Sequence, residues 1–189
     1  MPPAPNMARS KGDVMPALLP ALLLLAAAAD PMPQAPAAPA TDCAAAPAAL
    51  PPALAGWSAP SPLAAARNGD ASAAVLTIGQ AADLTLSPTP RVDYPVRPER
   101  PGGSVSHGGI VRFSVARAGV YRVALDSGVW IDVIADGARL ASVAHGHGPD
   151  CSGIRKMVDF RLEPGTYLLE IAGSGAPSLR VMIAAVPEA

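Results

Sequence analysis

The sequence predicts an all-β fold: an antiparallel two-sheet sandwich or jelly roll of about eight or nine short strands in the C-terminal part of the chain. Three observations predict it. From residue 73 onward, short runs carry apolar residues at alternate positions, the period of a strand with one buried face. Gly, Pro and Asp separate these runs at turn spacing. No segment there combines helical apolar spacing with helix caps.

Three parts follow from the texture of the chain: a signal segment at residues 1–29, a Pro/Ala-rich linker at 30–72, and a β domain at 73–189. In the first, Arg9 and Lys11 precede an apolar run from Ala17 to Ala29, built on Leu18, Leu19 and Leu22 to Leu25 and ending in small residues. A basic flank, a short apolar stretch and a small-residue exit make the pattern of a secretory signal. The run is shorter than the roughly 20 apolar residues of a membrane span, so no stable span is expected once the signal is removed. The expected location is periplasmic or secreted.

The linker holds a large share of the 23 prolines of the chain. Proline removes backbone donors and biases its predecessor toward extended backbone, so this stretch reads as a spacer. Leu50, Leu54, Trp57 and Leu63 are its sizeable apolar side chains in the second half, with Trp57 the best candidate to dock on the domain.

In the β domain, Val75–Ile78 and Leu84–Leu86 read as the opening strands. Residues 88–103 form a Pro-rich loop that no central strand tolerates. The runs Ile110–Val115, Val120–Leu125, Val129–Ala135 and Arg139–Ala144 follow, then Met157–Leu162, Thr166–Ile171 and Leu179–Ala184. Alternation places Val111, Phe113 and Val115 on one face, as it does Tyr121, Val123 and Leu125, and Tyr167, Leu169 and Ile171. A weak repeat links Phe113–Tyr121 to Phe160–Tyr167: each strand ends at a Gly turn, and a Tyr two residues later opens the next strand. That Tyr is expected to fill the sandwich edge with its hydroxyl in water.

Composition narrows the function. The 50% hydrophobic content is inflated by alanine, aromatics are 4%, and the net charge is -1. Without a Lys/Arg patch to neutralise phosphates, nucleic acid is not an expected partner.

Candidate chemistry gathers around the three histidines. His145 and His147, two apart, present both imidazoles to one side of a strand. With a third ligand from His107, Asp150 or Cys151 they outline a metal site, and imidazole suits iron, copper and zinc alike. The neighbouring Gly108, Gly109, Gly146 and Gly148 would leave room for a ligand. Cys43 and Cys151, an even count in an exported chain, point to a disulfide. Ser106, Ser152 and Arg155 are candidate ligand-rim residues at the same end. Ser152 lacks the Gly-x-Ser-x-Gly setting of a hydrolase nucleophile. Trp130 sits in an apolar strand and reads as core.

The Phe-x-Leu-x-Pro-Gly-Thr-Tyr turn at residues 160–167 resembles that of the β-sandwich modules appended to secreted bacterial enzymes, such as pre-peptidase C-terminal domains. The stretches from Pro95 to Gly109 and from His145 to Arg155 are similar to those of short exported proteobacterial proteins, some labelled homogentisate 1,2-dioxygenase. The resemblance to that label implies iron held by two His and one Glu in a cupin fold. His145-x-His147 matches the first cupin motif in part, while Asp150 stands too early and is not Glu. Two expectations follow. The first is an exported binding module for a small ligand, a glycan, a cell-envelope protein or a metal. The second is a small non-haem metalloenzyme with a His-based site.

Overall fold

The computed structural model describes Cys43, residues 49–72 and residues 74–187. The expected signal segment at 1–29, and the expected linker up to residue 48 apart from Cys43, lie outside the described residues. Within them, eleven strands form a two-sheet sandwich, as the alternation predicts. One sheet contains β1 (Ser61–Ala64), β2 (Ala81–Thr85), β5 (Gly119–Leu125), β8 (Ser142–Gly146), β9 (Lys156–Leu162) and β11 (Ser178–Ala185), in the order β1-β2-β11-β5-β9-β8. The other contains β3 (Ser87–Pro88), β4 (His107–Val115), β6 (Trp130–Ala135), β7 (Ala138–Arg139) and β10 (Gly165–Ser174), in the order β3-β4-β10-β6-β7. Every pair except β1–β2 is antiparallel.

The core lies between the sheets and follows the period of two. Val111, Phe113 and Val115 of β4 and Tyr167, Leu169 and Ile171 of β10 share one buried cluster with Tyr121, Val123 and Leu125 of β5. Leu179, Val181 and Ile183 of β11 complete it. The Phe113 and Tyr167 rings stack at 5.4 Å.

The internal repeat marks two equivalent corners where the chain changes sheet, from β4 to β5 and from β9 to β10. At each corner the tyrosine ring enters the core and its hydroxyl reaches back four residues. Tyr121 donates to the Arg117 carbonyl at 2.9 Å, and Tyr167 to the Glu163 carbonyl at 2.7 Å. These hydroxyls therefore fasten the corners rather than sit in water, each bond contributing about 1 kcal/mol.

Two expected strands change character. Val75–Ile78 is a strap: Leu76 donates its N–H to Arg112 of β4 and Gly79 to Ile183 of β11, which closes one side of the sandwich. The run Arg139–Ala144 divides between sheets. Asp136 and Gly137, with φ of 49° and 75°, form the tight turn from β6 to β7. Leu140 and Ala141 then carry the chain across to β8, which pairs with β9.

The second half of the expected spacer is also part of the fold. A 3-10 helix at Pro52–Ser58 has three residues per turn, so Leu54 and Trp57 fall on one side. Both are buried against Ala81, Ala124, Met182 and Ala184 on the outer face of the six-stranded sheet, and against Ile154. Trp57 docks as expected, and its indole donates to the Ser152 carbonyl at 2.9 Å. Strand β1 then extends the same sheet beside β2. A disulfide joins Cys43 to Cys151 across a sequence separation of 108, the pairing the sequence pointed to.

Candidate functional site

The strap at residues 74–79 closes one side of the sandwich, while on the opposite side, among the described residues, Leu140 and Ala141 cross from β7 to β8. There β6 and β7 of one sheet stand apart from β8 and β9 of the other. The gap is a cleft of about 680 Å³. Its floor is lined by Ile131, Val158 and Phe160, each at most 7% exposed, and by the half-buried Leu140, and its rim by Trp130, Arg139, His145, His147, Arg155 and Lys156. The volume is in the range of small-molecule sites.

Alternation on β6 and β9 sets these side chains. On β6, Ile131 and Val133 face the core, so Trp130 and Asp132 face outward. On β9, Val158 and Phe160 face inward, and Lys156 continues that row at the open end. From there its ammonium group reaches the residue that precedes β6 and donates to the Val129 carbonyl at 2.7 Å. It also lies 5.9 Å from the centre of the Trp130 ring, and the Arg100 guanidinium lies 5.5 Å from the same ring. Burial pushes the Lys156 ammonium below its ordinary pKa, with the Asp132 charge opposing.

Behind the rim, on the outer face of the five-stranded sheet, Asp132 and Glu170 lie directly opposite one another on β6 and β10. Asp132 pairs with the Arg139 guanidinium at 2.7 Å and accepts the Trp130 indole N–H at 2.9 Å. Glu170 is only 1% exposed and accepts the Val96 N–H at 3.1 Å. Its second carboxyl oxygen is buried without a partner. Burial pushes its pKa up to about 7; Asp132 adds to the shift, while the Val96 bond and Arg139 oppose it. The Pro-rich loop forms the lid over this pair. Tyr94 donates to the Ile171 carbonyl at 2.8 Å, and Arg139 donates to the Arg97 carbonyl at 2.8 Å. Burial, with the Glu170 charge, holds the Tyr94 hydroxyl up at about 12.

The expected metal site is not assembled. His107 opens β4 in one sheet, paired with Pro88 and Ser174, whereas His145 lies on β8 in the other and His147 just beyond it. His147 is turned to the Arg155 carbonyl at 3.0 Å through Nδ1. Asp150 is exposed in the turn that follows, and Cys151 is held in the disulfide. Among the described residues no three His, Cys, Asp or Glu side chains gather as a metal would require.

The rest of the expected rim also divides. Ser106 is buried, donating to the Gly103 carbonyl at 2.6 Å and sharing a bond with Thr89 Oγ1 at 2.8 Å, so it ties the Pro-rich loop. Ser152 donates to Pro149 at 2.6 Å and accepts the Ile154 N–H at 3.1 Å, so it shapes a turn. Arg155 does line the cleft, together with His145 and His147. The glycine space expected for a ligand is largely taken by the protein itself. A Cβ at Gly108 would collide with the Tyr94 hydroxyl, and one at Gly148 with Ile154.

Trp130 is the main residue misread from sequence: it is half-buried at the cleft rim rather than in the core. The signal was present, since Trp130 and Asp132 share a face two residues apart and a strand rarely buries an acid there without reason. Lys156, next to Arg155, offers the sequence a basic pair for an anionic group or for solvent, whereas Arg139 gave no comparable signal. Their roles depend on which strands become neighbours across the open edge. No protein-family model matches the chain, and no curated protein matches it significantly.

Proposed function

We propose that the chain is an exported β-sandwich binding module that takes up a small organic ligand in the cleft at its open edge. The observation that carries this reading is the asymmetry of the sandwich. One side is closed by the 74–79 strap, while the other leaves a cleft of about 680 Å³ with an apolar floor and a polar rim. Such a surface suits recognition: the floor supplies burial, and a few fixed polar groups set orientation. Export is supported by the basic–apolar–small pattern of residues 1–29 and by the Cys43–Cys151 bridge, a kind of bond that reducing compartments keep open.

The test is an amide and indole chemical-shift screen of the oxidised protein against small organic acids, bases, neutral aromatics and short oligosaccharides. Binders are expected to shift Trp130, His145 and Lys156, and a Ser142→Trp variant, which plugs the cleft mouth, is expected to abolish the shifts. Binders that move another surface, or that bind the plugged variant equally well, would overturn the reading.

A further inference from the structure

The charges around the cleft are unbalanced in a way that selects among ligands. Arg139, Arg155 and Lys156 line it against a single acid, Asp132. That acid is already engaged by Arg139 and by the Trp130 indole. Among the described residues, no carboxylate lies within ion-pair distance of Lys156, Arg155 or Arg100. Lys156 is the notable one. It is drawn partly out of water, and among the described residues it contacts a neutral carbonyl and an indole ring.

A second, smaller notch of about 380 Å³ shares Gly128, Trp130 and Lys156 with the cleft and is also lined by Arg100. Lys156 and Arg100 thus both reach one tryptophan ring, whose N–H is held by Asp132, an acid already paired with Arg139. Keeping the half-buried Lys156 ammonium charged is costly, and an anion beside it offsets that cost. The cleft floor beside them is apolar, so charge lies at one end and hydrocarbon surface at the other.

We infer that the ligand is an amphipathic organic carboxylate, its apolar body on Ile131, Leu140, Val158 and Phe160 and its carboxylate at Lys156, with Arg155 and Arg100 close by. The inference rests on the cleft being the binding site. A charged hydrogen bond to Lys156 and the attraction of Arg155 favour a carboxylate over a neutral group of the same shape. Asp132, whose charge also reaches Lys156, is offset by its ion pair with Arg139, which limits its repulsion of a carboxylate there.

The test compares naphthoate with naphthamide, which share one apolar body and differ in charge, by calorimetric titration of the full oxidised protein with the Trp130 indole resonance followed in parallel. Naphthoate is expected to bind about tenfold or more tighter than naphthamide, the ratio of one charge-assisted bond. Lys156→Gln is expected to remove most of that ratio. Because Lys156 also ties β9 to Val129, Arg155→Gln serves as the second variant; its exposed side chain makes no ion pair among the described residues, and it is expected to lower naphthoate affinity several-fold while sparing naphthamide. Equal affinities for the two compounds at Trp130 would overturn the carboxylate inference and leave the cleft reading standing. Failure of both compounds to reach Trp130 at millimolar concentration would overturn the two together.

Discussion

Glu170 gives the sharpest energetic prediction. Its carboxyl is buried on the outer face of the five-stranded sheet under the Pro-rich loop, opposite Asp132. Burial raises its pKa from 4.5 to about 7 in the folded protein. Between those values the unfolded chain has already released this proton while the folded chain keeps it. Unfolding is therefore favoured as pH rises, and stability from this group is fully present below about pH 4.5 and lost by about pH 7. Carried from pH 5 to pH 8, the loss is about 2–3 kcal/mol. Glu170→Gln removes the titration and keeps an oxygen for the Val96 N–H. Urea unfolding under non-reducing conditions measures both proteins at both pH values. The variant is expected to gain about 2–3 kcal/mol on the wild type between pH 5 and pH 8. A gap that stays constant across that range would refute the reasoning, because the carboxyl would then titrate alike in both states.

Two further perturbations test the packing. Trp57→Ala strips the ring from the outer face of the six-stranded sheet, where it is 3% exposed, and is expected to cost about 3–5 kcal/mol in urea unfolding; a loss below about 1 kcal/mol would show that residues 52–58 are not part of the folded unit. Replacing both Cys43 and Cys151 by Ser opens a loop of 108 residues and is expected to lower stability by about 4–5 kcal/mol in the chain-entropy account. Intact mass without reductant checks the bridge itself, since two free thiols would contradict it.

Much of the fold was legible because a strand with one buried face must alternate, and β4, β5, β10 and β11 alternate cleanly. The corner tyrosines were legible as a repeat, but not their role, which needed the carbonyl four residues back. The run Arg139–Ala144 misled because its pattern has no mark for a change of sheet. The Asp136–Gly137 turn fixes β7 beside β6, and the next two residues leave for β8. Proline content hid the packed part of the linker, since Leu54 and Trp57 meet only at the three-residue spacing of a 3-10 helix. The histidines drew attention because metal ligands have a recognisable spacing. Spacing within β8 could not reveal that His107 belongs to the other sheet. Lys156, Trp130 and Arg100 carry no motif at all. They converge through tertiary pairing, and sequence distance does not encode it.

The central claim, that the open edge of the sandwich is a binding site, is tested most directly by the two indole N–H resonances of the chain. The protein contains two tryptophans. Trp130 lies at the cleft rim with its N–H on Asp132, and Trp57 lies against the outer face of the six-stranded sheet with its N–H on Ser152. In a titration with naphthoate, the account predicts a saturable shift of the Trp130 signal while the Trp57 signal stays in place. A saturable shift of Trp57 with Trp130 unmoved would contradict it.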